Sequence, residues 1–149
     1  MRKQLKSFKA AFEGFFNSVK SEGHLRFHLV AAFYVILFSF FYDFTAAQWA
    51  LVLLLIGVII AAELVNTALE NACDAVTEDY NPFIKAAKDA CAAAVLVLSV
   101  FAVIIAFILY FDLDRFYAIY LFLINRVWLL ILFVVSLIMS LVFIGKFKK

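Results

Sequence analysis

Four apolar stretches frame this chain, roughly residues 25–42, 46–69, 86–111 and 116–144, with polar and charged residues gathered between them. A membrane-spanning helix needs about 20 predominantly apolar residues. The first stretch is short and ends at Asp43. The second and third are long enough to span. The fourth is longer than required and is interrupted by Asn125 and Arg126. The expected fourth span is therefore residues 127–144, with residues 116–124 either an outer interfacial piece or an extension of it. Ahead of the first stretch, Leu5, Phe8, Phe12, Phe15, Phe16 and Val19 recur at helical spacing, while Lys6, Lys9, Glu13, Asn17 and Lys20 fall largely elsewhere. That pattern predicts an amphipathic helix lying in the membrane interface. The expected fold class is all-α: an integral membrane helical bundle with an N-terminal surface helix, three core transmembrane helices and an extra fourth. Neither a repeat nor a linker divides the chain. Residues 1–111 are expected to form the core, and residues 112–149 an added C-terminal segment with a basic tail.

Composition agrees with the pattern. Of the 149 residues, 68% are hydrophobic and 16% are charged, with one proline and four glycines. Soluble domains carry about 45–50% apolar and about 25% charged residues. Cys73 and Cys91 form no CxxC or zinc-type spacing and read as small residues packed between helices. Nothing resembles a cleavable signal. No nucleic-acid partner is expected.

Basic residues set the orientation. Arg2, Lys3, Lys6, Lys9, Lys20 and Arg26 precede or open the first span, Lys85 and Lys88 lie between the second and third, and Lys146, Lys148 and Lys149 end the chain. The turn at Asp43 has no basic residue. Four spans with both termini in the cytosol satisfy this distribution. Only Arg126, near the outer end of the last span, sits against it.

The second stretch runs into AAELVNTALENACD at residues 61–74. At about 100° per residue, Glu63, Asn66, Glu70 and Asp74 fall within a sector of roughly 80°. They make one polar face that starts inside the hydrocarbon and leaves it on the cytosolic side. An acid within a membrane helix costs up to about 2.5–3.5 kcal/mol at mid-membrane, so such residues usually face protein or water and mark a site. Grouped carboxylates repel unless a cation intervenes. Mg²⁺ typically takes one or two carboxylates and completes its shell with waters and substrate phosphates. Glu63, the deepest, is placed to act as a general base at headgroup level. Lys88 offers a point charge for phosphate. There is no GxxxxGK[ST] loop, GxGxxG, GxSxG or HExxH. His24 and His28, four residues apart without a third ligand nearby, read as interfacial histidines.

ELVNTALENACD at residues 63–74 resembles the ExxNxxxExxxD signature of the bacterial diacylglycerol kinase and undecaprenol kinase family. The resemblance covers roughly residues 3–110 and includes AFEGF at 11–15, SEGHLRFH at 21–28 and NPFIKAAKDACAAAVL at 81–96. It implies ATP-dependent phosphorylation of a membrane lipid alcohol by a homotrimer with shared active sites. Carried over by position, Glu63 is the catalytic base, and Glu22 and Glu70 are the Mg²⁺-binding glutamates. Lys88 and Asp89 contact the nucleotide, and Asn66 is an active-site amide. Asp79, Tyr80 and Asn81 fall where a cytosolic loop meets ATP, and Lys3 near a basic ATP contact. Ala10 stands where the family's surface helix has a tyrosine, so that contact is not carried over. The NPFIKAAKD loop is more similar to the undecaprenol kinases than to the diacylglycerol kinases. Undecaprenol is thus the expected substrate and diacylglycerol the alternative, in a bacterial inner membrane. A small cation channel or transporter is the reading from another class, since acids on one membrane helix face also suit ion passage. Their confinement to one end of the span argues against it.

Overall fold

The computed structural model describes residues 2–77 and 79–146. Among these residues every regular element is an α-helix: α1 (Arg2–Ser21), α2 (Gly23–Ser39), α3 (Ala46–Val76), α4 (Pro82–Tyr110), α5 (Leu113–Ile124) and α6 (Val127–Gly145). Three of them, α3, α4 and α6, are long and apolar enough to cross a membrane, and α2 is a shorter apolar helix. The chain is a multi-pass membrane bundle. Lys148 and Lys149 of the expected basic tail lie outside the described residues.

Helix α2 is the hub: α3 packs on it, α6 packs on it, and α1 rests against α2 and α3. Helix α4 lies along α3, and α5 folds back on α6. Among the described residues only Leu25, Val52 and Val95 form a buried hydrophobic core, while Phe33, Leu54, Val103, Phe107, Leu132 and Met139 are exposed. A single chain of this composition leaves its apolar faces to lipid or to other protein.

Helix ends follow local chemistry more than hydropathy. Helix α3 runs on past residue 69 to Val76, because polar residues in water do not break a helix. At about 1.5 Å per residue its 31 residues span about 46 Å, well beyond a hydrocarbon core of about 30 Å. Thr45 opens it with a capping box, its side chain accepting from the Gln48 amide while the Gln48 side chain accepts from the Thr45 amide. Helix α4 starts at residue 82, earlier than the apolar stretch, because Asn81 Oδ1 caps the Phe83 and Ile84 amides and Pro82 follows at the first helical position. Asp112 caps α5 through the Asp114 and Arg115 amides at 3.0 and 3.1 Å. The break at Asn125 and Arg126 falls where expected, and residues 113–124 form a helix of their own. Arg126, awkward for orientation, stacks its guanidinium 4.5 Å from the Phe122 ring centroid, a cation–π contact.

Two clusters hold α6 and the end of α4 in place. Tyr34 Oη on α2 lies 3.0 Å from Ser136 Oγ and 3.2 Å from Ser140 Oγ on α6. At the end remote from α1, Tyr42 donates to the Tyr110 carbonyl at 2.8 Å, and Tyr42, Phe44 and Trp49 cluster with the Tyr110 ring. Arg115 pairs with Asp43 there.

Candidate active site

Glu63 sits in the interior of α3, buried at 5% exposure. Its Oε1 lies 3.1 Å from His28 Nε2 on α2, and the His28 side chain is 15% exposed. Among the described residues His28 is the only group paired with this carboxylate. An ionised carboxylate without a partner in an apolar setting is costly, so the contact is what a buried Glu63 needs. His28 is therefore not a simple interfacial residue. The register between α2 and α3 brings it to Glu63, and spacing along one helix carries no trace of that register.

One turn further, Asn66 Nδ2 donates to Glu70 Oε1 at 2.9 Å. Among the described residues Asn66 Oδ1 and the hydroxyl of buried Thr67 have no hydrogen-bond partner. Buried orphaned polar atoms are rare in native structures and ask for a ligand or water. Asp74, two turns beyond Asn66, is exposed and ion-paired with Lys88 of α4 across the α3–α4 connection. The expected polar face of α3 is thus real, and Lys88 stands beside it. In this structure Lys88 is engaged by Asp74.

The remaining expected residues are spread more widely. Glu22 occupies the corner between α1 and α2. It is the N-cap residue of α2 but its side chain makes no capping bond, and it lines a cavity with Arg26, Gly145 and Lys146. Asp89 pairs with Lys85 at 2.5 Å on the exposed side of α4. Asp79 and Tyr80 are exposed in the connection, where the Asp79 amide donates to Thr77 Oγ1 at 3.0 Å. Asn81 is occupied in capping α4. Lys3 lies near the start of α1, about 27 Å of helix away from Ser21, and no described bond ties it to Glu63, Glu70 or Lys88. One chain gathers Glu63, Asn66, Glu70 and Lys88 on adjoining surfaces, and does not gather Lys3, Asp79 or Tyr80 with them.

Among the described residues no group of three or more His, Cys, Asp or Glu is assembled as a metal cage. The donor set nevertheless suits Mg²⁺ held jointly with phosphate. The Glu70 carboxylate and the unpartnered Asn66 Oδ1 are hard oxygen donors on one turn of α3, and the Glu22 carboxylate is not used as a cap.

From His28 an apolar groove of about 260 Å³ runs between α2, α3 and α4. Val35, Val52, Ile56, Ile60, Ala102 and Ala106 contribute to its walls, with Ser99 and Tyr110 among the few polar atoms. From Ile60 to Val52 the wall extends about 12 Å along α3. The arrangement is amphipathic: hydrogen-bonding and charged groups at one end, a hydrocarbon-compatible slot leading away from them.

Comparison with known proteins agrees with this chemistry. The family profile described as prokaryotic diacylglycerol kinase matches residues 9–110. The chain is 37% identical over 105 residues to the undecaprenol kinase of Bacillus subtilis (strain 168), covering 70% of this chain and 85% of that protein. Helices α5 and α6 lie beyond the profile match.

Proposed function

The chain belongs to the prokaryotic diacylglycerol kinase family and is a membrane lipid kinase, and from that premise we propose that its acceptor is undecaprenol and its base Glu63. The observation that carries this reading is the buried Glu63 carboxylate, 3.1 Å from the imidazole of a histidine that also lines an apolar groove. A lipid alcohol whose first hydrocarbon segment lies in the groove presents its hydroxyl at the polar end. Glu63 takes the hydroxyl proton as the oxygen attacks the γ-phosphorus of ATP. A new O–P bond forms, the bond from the γ-phosphorus to the β,γ-bridging oxygen breaks, and ADP leaves. Lys88 exchanges its exposed partner Asp74 for phosphate. Asn66 and Glu70 hold the neighbouring oxygen donors in register. Glu22 and Glu70 would hold Mg²⁺, which neutralises phosphate charge when bound.

Residues 1–111 form the kinase core and residues 112–149 an added segment. The working form is a homotrimer in a bacterial inner membrane, with both termini and the site on the cytosolic side. Exposed apolar faces and the separation of Lys3, Asp79, Tyr80 and Asp89 from Glu63 support a nucleotide site completed by a neighbouring copy. A cation pathway is disfavoured, because the innermost acid is buried and paired.

The test is an ATP-dependent phosphorylation assay on purified protein with undecaprenol, diacylglycerol and ceramide in parallel. Undecaprenyl phosphate is expected to form fastest, and faster formation of phosphatidic acid would reassign the acceptor. Glu63→Gln is expected to abolish transfer while the protein still assembles. Unaltered turnover in that variant removes Glu63 from the reaction.

A further inference from the structure

We infer that His28 is a positioning residue for phosphoryl transfer: its imidazole, paired through Nε2 with Glu63 Oε1, holds that oxygen and thereby aims the second oxygen, Oε2, at the lipid hydroxyl. The inference rests on the proposal that Glu63 is the base, and three observations point to it. The contact is 3.1 Å between two side chains that are 15% and 6% exposed. No other described group pairs with the Glu63 carboxylate. His28 itself lines the apolar groove, so it touches both the base and the space where the acceptor's hydrocarbon would lie.

The physical reason is rotational. A glutamate on a helix has three side-chain torsions, and with no polar neighbour a buried carboxylate turns to whatever water or amide it reaches. A single donor on one oxygen removes most of that freedom and leaves the other oxygen uncommitted. The proton released by the lipid hydroxyl goes to Oε2, and none passes through the imidazole. Held this way, the carboxylate meets the hydroxyl already oriented, and orientation contributes to turnover more than to binding. Phe27 stands edge-on to the imidazole at 5.5 Å between ring centroids, which helps fix the ring on its side of α2.

The test compares His28→Phe, His28→Asn and His28→Gln in detergent-purified full-length protein, with kcat and KM measured separately for ATP and for undecaprenol. Gln reaches the ε position and donates there, Asn donates only nearer the backbone, and Phe keeps the ring volume without a donor. We expect His28→Phe to lower kcat by roughly 10- to 100-fold, the usual cost of one hydrogen bond to a charged group, with both KM values within about twofold. We expect His28→Gln to recover most of that loss and His28→Asn not to. If His28→Phe is not recovered folded, the Asn and Gln pair decides, because the two are alike in polarity and differ in reach. Turnover within twofold of the parent in His28→Phe or His28→Asn overturns the inference. So does equal impairment of Asn and Gln, or a loss that appears in KM or in the assembled fraction, since either means a packing role. Glu63→Gln run alongside separates the levels. An active Glu63→Gln enzyme removes the base itself, whereas an inactive one beside a normal His28→Phe enzyme removes only the role assigned to His28.

Discussion

Arg26 Nε donates to the Ile144 carbonyl at 3.2 Å, tying the last turn of α6 to the corner between α1 and α2. The same guanidinium donates through Nη1 to the Val19 and Lys20 carbonyls, each at 2.9 Å. Carbonyls at a helix C-terminus lack intrahelical partners and carry the negative end of the helix dipole, so one buried cation satisfies two helix ends at once. Glu22 lies in that same corner and shares a cavity with Arg26, Gly145 and Lys146. The added helix is thus mechanically joined to a residue expected to bind metal.

Replacing Arg26 by Met should therefore loosen α6 and the α1–α2 corner together. Three helix-end carbonyls lose a charged donor, which is expected to cost about 2–4 kcal/mol. In a thermal unfolding series in detergent this corresponds to a drop of roughly 5–15 °C. Arg26→Lys should fall between parent and Met, because an ammonium cannot reproduce the planar fork. An unchanged melting temperature in Arg26→Met would contradict the clamp.

The polar face of α3 was legible because period and position coincide: an acid and an amide recurring at helical spacing inside an apolar helix leave few other readings. The early start of α4 was legible in principle from Asn81 and Pro82, whose capping chemistry is local. One feature was out of reach for a physical reason. The pairing of His28 with Glu63 depends on the rotation of α2 about its axis against α3, and α2 is apolar almost all round, so no stripe marks its inner side. The continuation of α3 beyond the apolar stretch is legible as well, since helical spacing carries its polar face out to Asp74, two residues short of its end at Val76. Among the described residues no hydrogen bond or ion pair joins Lys3, Asp79 or Tyr80, the expected ATP contacts, to Glu63, Glu70 or Lys88.

Lys88 should act on nucleotide binding more than on the fold. Its side chain is 31% exposed and that of its partner Asp74 is 64% exposed, and ion pairs so placed contribute little to stability. Lys88→Met is expected to raise KM for ATP by about tenfold, with the melting temperature unchanged. Asp74→Asn should likewise leave the melting temperature unchanged. Steady-state kinetics with varied ATP, together with thermal unfolding of both variants, check this. A large loss of stability in Lys88→Met would make the pair structural.

Asn66 is expected to couple turnover to Mg²⁺. Its Nδ2 donates to Glu70, while its Oδ1 has no hydrogen-bond partner among the described residues. Chelation with EDTA should stop turnover, and added Mg²⁺ should restore it. In Asn66→Ala the Mg²⁺ concentration for half-maximal rate should rise several-fold, since outer partners of a metal ligand typically contribute 10- to 100-fold in affinity. Asn66→Asp restores an oxygen but removes the amide donor to Glu70 and places a second acid beside it. It should be no better than Ala at low Mg²⁺ and should recover at high Mg²⁺, because a cation relieves repulsion between carboxylates. An unaltered Mg²⁺ dependence in both variants would detach Asn66 from the metal site.

The groove makes the acceptor's length an observable. Ala106 lines it toward the Tyr110 end, whereas His28 and Ile60 line the end nearest Glu63. A phenylalanine at Ala106 would fill the far part with its ring and leave the polar end untouched. An undecaprenol chain seated along the groove must then leave it early, exchanging contact with the helices for contact with lipid, so what it loses is close packing and not shelter from water. A measurable rise in KM for undecaprenol is the expected result. A two-isoprene alcohol that ends before residue 106 gains nothing from the far part, so its kcat/KM should stay within twofold of the parent. Ala102→Phe, one turn closer to the polar end, should reduce both substrates. Should Ala106→Phe depress the short and long alcohols equally, the ring would be disturbing helix packing. Should it depress neither, the chain would lie elsewhere. A selective loss of the long alcohol is the outcome that places its tail between α2, α3 and α4.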